Sequence, residues 1–363
     1  MRRILKPLQR RFWRGYVRGA SRLHDLTYLF WETTLACNLS CRHCGSDCAP
    51  NSALADELST AEVKAVFDTI AKDYDPRRIT VAVTGGEPLL RADVFEVAAH
   101  LARQGFRWGM VTNGTLLTDR AVELCQGAGM GSVSVSIDGL KEQHEYLRGP
   151  RTVAPAVEAV ARLKRAGCLQ ILEVVTCPTG AVVRDIDAVY EFMCSLGLDA
   201  WRLLPLAPIG RVRRHPELML TGAQLRALLD WLKAKRADKR APLKVTLDEE
   251  GFLGDEYERE VREMPYFCFA GIHAASILAN GDVSACPSVD RRFVQGSVRE
   301  RSFKDIWENE FQLYRDRRWM QRGPCQGCKS FADCLGNSFH LWESPDAPGP
   351  ACCHLKMLQE ERK

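Results

Sequence analysis

No stretch of this 363-residue chain approaches the roughly 18 apolar residues that a bilayer-spanning helix needs. The start, Met1-Arg2-Arg3-Ile4-Leu5-Lys6, is basic but reaches no continuous apolar segment before Arg10 and Arg11, and so makes a poor secretory signal. Neither sign of charge dominates. Fifty basic residues against 46 acidic ones leave +4, too small an imbalance to argue for nucleic acid or an acidic polymer. Internal repeats and low-complexity tracts are absent. Membrane association and nucleic-acid binding are therefore not expected, and the reducing cytoplasm is the expected compartment.

What the chain has in excess is cysteine. Of 15, four lie at Cys37, Cys41, Cys44 and Cys48, and seven between Cys268 and Cys353. An odd count in a chain this long does not suit a disulfide scaffold, whereas clustered thiols in an intracellular enzyme bind metal. The four others, Cys125, Cys168, Cys177 and Cys194, read as buried small hydrophobes.

Eight Lys and Arg fall between Arg2 and Arg22, with Leu5, Leu8, Phe12, Tyr16 and Val17 among them at helical spacing. Such a helix could bind a membrane surface or a partner. Packing of its apolar stripe on the main domain is the expected reading, since amphipathic helices usually face a core. From residue 28 a rhythm sets in. β-Rich runs at Tyr28–Thr33, Ile79–Thr84, Phe106–Thr112, Ser132–Ile137, Gln170–Thr176 and Ala200–Leu204 alternate with helical patterns, the first opened by the capping box Ser59-x-x-Glu62. Six such units predict an α/β fold with a parallel sheet, a partial or full barrel or a doubly wound sheet, with ligands at the carboxyl ends of the strands. The expected divisions are a basic segment 1–27, a barrel 28–215, a helical, charged bridge 216–262 and a turn-rich, Cys-rich tail 263–363.

After the first strand comes Cys37-Asn-Leu-Ser-Cys41-Arg-His-Cys44. Three thiolates spaced C-x3-C-x2-C can ligate three irons of a cubane and leave the fourth open. On spacing alone a zinc site using Cys48 also stands. After the second strand, Thr84-Gly85-Gly86-Glu87-Pro88 combines a glycine pair, which lets backbone approach a ligand, with a carboxylate suited to an ammonium. At the fourth strand, Ser134-Val-Ser136-Ile-Asp138-Gly139 puts three polar side chains on one face.

At these residues the chain resembles the radical S-adenosylmethionine (SAM) superfamily. The resemblance implies a partial (β/α)6 barrel and a [4Fe–4S] cluster on Cys37, Cys41 and Cys44, with Cys48 a non-ligand. Gly85, Gly86 and Glu87 would then recognise the methionine amino group. Ser136 and Arg148 would contact the ribose and carboxylate of SAM, with Asp138 secondary, and His43 would lie near the adenine. Thr112-Asn113-Gly114 fits the same rim or is a plain turn. The implied chemistry is one-electron cleavage of SAM to a 5′-deoxyadenosyl radical that abstracts hydrogen, fed by an electron donor such as flavodoxin or ferredoxin.

The tail reads Cys268-x12-Gly281-x4-Cys286, then Cys325-x2-Cys328-x5-Cys334, then Cys352-Cys353. It resembles the SPASM extension of these enzymes, which holds two auxiliary [4Fe–4S] clusters. By that likeness Cys325, Cys328, Cys334 and one of Cys352 or Cys353 form one full auxiliary cluster. The other site keeps Cys268 and Cys286 but has Ser338 where a cysteine belongs, so one or two auxiliary clusters are expected. A zinc ribbon is the alternative for the tail. The substrate implied is a peptide or protein side chain, with a small molecule such as a tetrapyrrole (haem) precursor as the alternative, and a non-catalytic metal-binding scaffold the rival from another class. About 27 residues precede the barrel, too few for a leader-binding domain, so a leader peptide would need a partner or the tail. Arg202 and Arg211, near the end of the sixth strand, could line the pocket, but surface ion-pairing is the expected reading.

Overall fold

The computed structural model of the chain describes residues 2–248 and 251–360, with side chains from residue 9 onward. A helix, α1 (Arg2–Leu23), leads into alternating strands and helices: β1 (Tyr28–Glu32), α2 (Thr60–Asp73), β2 (Thr80–Thr84), α3 (Val94–Gln104), β3 (Arg107–Thr112), α4 (Asp119–Gly127) and β4 (Ser132–Ser136). There follow α5 (Lys141–Arg148), α6 (Val153–Ala166), β5 (Ile171–Thr176), α7 (Gly180–Arg184), α8 (Ile186–Ser195), β6 (Ala200–Leu203), α9 (Gly222–Ala237) and β7 (Lys244–Leu247). β1 to β7 pair in parallel in chain order.

Alternation decides which face is which. Val81, Val83, Trp108, Met110, Val133, Val135, Val174 and Trp201 point to the helices and are buried with Phe67, Leu101 and Val160 in one apolar core. The opposite face carries Ser134 in register with Glu173, and Ser136 in register with Val175, which is itself opposite Arg202. A polar face of this kind is tolerated because the curved sheet turns it inward as the wall of a cavity rather than into packed helices. Of the alternatives the six sequence units left open, this is the partial (β/α)6 barrel that the resemblance implies.

Beyond Arg214 the structure adds what the sequence rhythm did not show. The segment 216–262, expected to be helical and charged, also supplies β7. The tail supplies β8 (Ala274–Ile277), β9 (Asp282–Ser284) and β10 (Gly296–Ser297), before α10 (Phe303–Asn309). β8 pairs in parallel with β1, Tyr28 opposite Ala274, and β9 and β10 follow antiparallel. The sheet therefore has ten strands in the order β10-β9-β8-β1-β2-β3-β4-β5-β6-β7. Glu32, 1% exposed at the end of β1, accepts from Arg291 at 2.8 Å and from the Ala279 N–H at 3.1 Å. Rings of Phe293, Tyr314, Phe339, Trp319 and Trp342 form the tail's own aromatic centre, continuous with the barrel core.

α1 does bury an apolar stripe, but against the tail, and of the expected set whose side chains are described only Val17 lies in it. Trp13, Val17 and Ala20 meet Phe267 and Ile272. Phe12 and Tyr16, expected inside, are 77% and 42% exposed. Leu5 and Leu8 lie outside the described side chains. Arg14 fixes the helix with a two-pronged bond to Asp333, at 2.7 and 2.8 Å. No helix among the described residues is long and apolar enough to cross a membrane.

Phe67, fully buried between Trp31 and Phe106, is the test of this core. Phe67→Ala is expected to destabilise the chain by about 3–5 kcal/mol through lost burial and the cavity left behind, read as a fall in the denaturation midpoint without loss of secondary structure.

Candidate functional site

Cys37, Cys41, Cys44 and Cys48 sit on the loop that leaves β1, at the carboxyl ends of the strands. The loop is held from across the barrel. Arg211, in the segment after β6, donates from Nε to the Cys41 carbonyl at 2.6 Å and from Nη2 to the Cys48 carbonyl at 2.7 Å, and its backbone N–H donates to the Cys44 carbonyl at 3.0 Å. Gly210 has φ of +51°, and a Cβ there would stand 2.3 Å from the Cys44 carbonyl oxygen, so only glycine allows this approach. Arg211 is thus a clamp on the cysteine loop rather than a surface ion-pairing residue, although it also meets Asp47 at 2.8 Å.

Every sulfur of the C-x3-C-x2-C set faces an N–H. Cys37 accepts from the Leu39 N–H at 3.5 Å and from Asn113 Nδ2 at 3.9 Å, Cys41 from Arg148 Nη1 at 3.9 Å, and Cys44 from the Cys48 N–H at 3.4 Å. Such donors suit thiolates that ligate iron. Burial pushes the Cys37 thiol up to about 11 and raises Cys41 as well, while a hydrogen bond from the Cys48 side chain draws Cys44 down to about 5. A single tetrahedral zinc holds its sulfurs roughly 3.8 Å apart. Among the described residues, three ligand atoms of His, Cys, Asp or Glu come within 4.8 Å of one another only at His43, Asp138 and Cys177. The cysteine loop and the tail thiols are therefore set wider than one zinc requires, and a cubane, which gives each sulfur its own iron, fits the donor set. Cys48 is 2% exposed, and its sulfur lies 3.7 Å from the Ser46 carbonyl oxygen.

These thiols open on a cavity of about 270 Å³ that is also lined by Gly85, Gly86, Asn113, Ser136, Arg148 and Cys177. The glycine pair is required by packing: a Cβ on Gly86 would lie 2.0 Å from the Ala36 carbonyl oxygen. Glu87 departs from expectation. Its carboxylate is fully buried and accepts from Thr112 Oγ1 at 2.8 Å, the Asn113 N–H at 2.9 Å and the Leu89 N–H at 3.3 Å. Burial raises its pKa against these three donors. Spent on the β3 loop, Glu87 braces the rim and leaves the cavity wall to Gly85 and Gly86.

Asp138 departs in the same way. It is fully buried and accepts from Arg148 Nε at 2.6 Å and the Cys177 N–H at 2.8 Å, with His43 Nε2 at 3.2 Å. Burial alone would raise its carboxyl, but Arg148 and His43 hold it well below the usual range. His144 accepts the Asp138 N–H on Nδ1 at 3.1 Å, and burial lowers its ring to about 4, so it is neutral. Asp138 therefore aims Arg148 and His43 instead of meeting a ligand itself. His43 Nδ1 is buried with no protein partner among the described residues, an orphan that a bound nucleoside would satisfy.

In the tail, Cys325, Cys328, Cys334 and Cys353 come together. Charge on Cys353 raises Cys325 and Cys334, as it does Cys352, and charge on Cys328 raises Cys353. Cys352 instead turns its thiol to Met357 Sδ at 3.6 Å. At the other site, Cys268, Cys286 and Ser338 line a second cavity of about 490 Å³. The Ser338 hydroxyl is hydrogen-bonded to the Tyr266 hydroxyl, so this group does not offer a four-thiolate set. His340 lines both cavities and so stands where they meet, a position nothing in the sequence marked. Of the remaining cysteines, Cys125 is buried as expected, but Cys168 is exposed and Cys177 lines the first cavity.

Residues 31–193 match the radical SAM superfamily, and residues 268–329 match SPASM, an iron–sulfur cluster-binding domain. An AdoMet-dependent heme synthase of Oleidesulfovibrio alaskensis is 30% identical over 344 residues, 89% of this chain and 86% of that protein. The mycofactocin maturase MftC of Mycolicibacterium smegmatis is 28% identical over 346 residues, 92% and 85% of the two chains. The solved structure of native anSMEcpe with bound AdoMet superposes with a TM-score of 0.72 at 17% identity, covering 92% of this chain and 95% of that one, which establishes the shared fold.

The tail geometry separates two adjacent thiols. Cys353→Ser is expected to lower bound iron by about four atoms per chain, and Cys352→Ser to leave it unchanged, as read by iron and sulfide counting on anaerobically reconstituted protein.

Proposed function

Because the chain belongs to the radical SAM superfamily and carries its SPASM extension, we propose that it abstracts hydrogen from a carboxylate-bearing small molecule of the haem-precursor class, held against the concave face of the sheet. When bound, the [4Fe–4S] cluster and SAM supply the 5′-deoxyadenosyl radical for that step. The chain's own residues do the rest. Cys37, Cys41 and Cys44 hold the cluster, clamped by Arg211. Gly85, Gly86, Ser136, Arg148 and His43 form the SAM wall, with Glu87 and Asp138 bracing it from behind. Cys325, Cys328, Cys334 and Cys353 hold the auxiliary cluster.

The observation that carries the substrate reading is Arg202. It lies on the inner face of β6 and lines the second cavity. Glu173, itself hydrogen-bonded by Ser134, fixes the guanidinium through Nη2 at 2.7 and 2.9 Å. Its Nε is buried and finds no aligned acceptor among the described residues, although Asp248 lies 3.3 Å away. Glu173 and Asp248 thus face Nη2 and Nε, and Nη1 is the guanidinium edge left to meet a substrate carboxylate. Phe30, Met264, Phe267 and Phe269 make the same cavity apolar. A flat macrocycle edged with carboxylates matches both features, in line with the heme synthase relative. Peptide modification is the second reading, supported by the maturase relative.

The test is electron paramagnetic resonance with 5′-deoxyadenosine assay on reduced, reconstituted protein, beside a Cys37/Cys41/Cys44→Ala triple variant, offered either an iron porphyrin carrying propionates or a candidate peptide. SAM should perturb one cluster signal, the triple variant should lack that signal, and the porphyrin should be consumed. Arg202→Ala should raise KM for the porphyrin roughly tenfold or more, with SAM cleavage in its absence unchanged. Porphyrin left intact beside a modified peptide would replace the first reading by the second.

A further inference from the structure

A third concavity belongs to neither cavity already described. It has a volume of about 1030 Å³, lies between α1 and the tail, and is strongly basic, with Arg10, Arg11, Arg14, Arg18, Arg318 and Lys329 in its walls. Part of that charge is answered inside the protein: Asp255 and Asp333 face Arg10, Asp333 also takes Arg14, and Asp316 takes Arg318. Arg11, Arg18 and Lys329 meet no carboxylate among the described residues, and all three stand at the groove. Unanswered cations lining a concavity select an anionic partner and speed its approach.

One wall of the groove is Cys328, a member of the four-thiol group with Cys325, Cys334 and Cys353. The basic face therefore leads to a redox-capable site, which a surface built only to hold a polyanion would not need. We propose that this groove docks an acidic one-electron carrier protein of the flavodoxin or ferredoxin type, and that electrons enter the protein beside Cys328. The proposal rests on the radical SAM reading, whose chemistry consumes one electron per SAM cleaved. In each encounter the carrier is oxidised by one electron and the protein's iron–sulfur centre reduced by one, with no group transferred. An anionic membrane surface is the rival occupant. It would engage exposed Phe12 and Tyr16, which do not line the groove.

The experiment compares reconstituted wild-type protein with R11E/R18E on one wall of the groove and K329E on the other. Binding to a recombinant flavodoxin is measured by interferometry at low and high salt. SAM cleavage is driven in parallel by reduced flavodoxin and by dithionite, and binding to phosphatidylserine vesicles is measured alongside. The expected result is a Kd for flavodoxin raised roughly tenfold or more in both variants, salt-weakened binding in the wild type, and unchanged dithionite-driven cleavage. Flavodoxin binding that the variants leave intact would overturn the proposal, as would charge-dependent binding to vesicles without binding to flavodoxin. Equal loss of dithionite-driven cleavage would overturn it too, since the substitutions would then act through the fold. Wild-type protein that binds flavodoxin but cleaves no SAM with dithionite would sink the radical reading on which the proposal rests.

Discussion

A carboxylate removed from water costs several kcal/mol unless charged partners surround it, and Asp138 is removed from water entirely. Its partners come from three places in the chain: His43 from the cysteine loop, Arg148 from the end of α5 and the Cys177 N–H from the end of β5. Each of those elements must be in position for the charge to be tolerated, so the buried carboxylate makes the arrangement of the rim all-or-none. Arg148 also reaches Cys41, which carries the constraint to the sulfurs. The cavity geometry is thus imposed by an electrostatic debt at the end of β4 rather than by the cysteine loop itself, which has little regular structure of its own.

The same logic recurs at the opposite rim. Glu87 is held by groups on the β3 loop, and Arg211 ties the segment after β6 to the carbonyls of Cys41 and Cys48. Successive strand ends are therefore stitched to one another around the cavity by polar groups, some of which, Arg211 among them, also line it. Residues that hold and residues that touch are interleaved in the chain, and substitution of either kind changes the rim.

Much of the barrel was legible because its strands are long enough for alternation to show and its helices carry caps, as at Ser59 and Thr118. β1 to β6 fall within a residue or two of their expected limits. β7 to β10 run two to four residues each; β6 is as short as β7 and β8, but it belongs to the sixth strand–helix unit, whereas β7 to β10 lie outside that rhythm. The thiols were legible from spacing. The bracing roles of Glu87 and Asp138 were not, because sequence shows which residues stand near a strand end but not which way a carboxylate turns. On α1 the spacing gave the helix but chose Phe12 and Tyr16 over Trp13 and Ala20, since helical period alone does not say which of two adjacent apolar stripes finds a partner. Cys168 shows the limit of composition: thiols are usually buried, and this one sits on the surface.

β1 takes its hydrogen-bonded neighbours from residue 80 onward on one side and from residue 274 onward on the other. During synthesis the strand that precedes the cysteine loop therefore waits with an open edge until most of the chain has left the ribosome. Pairing across so long a separation is slow, and an unpaired edge invites association with other chains.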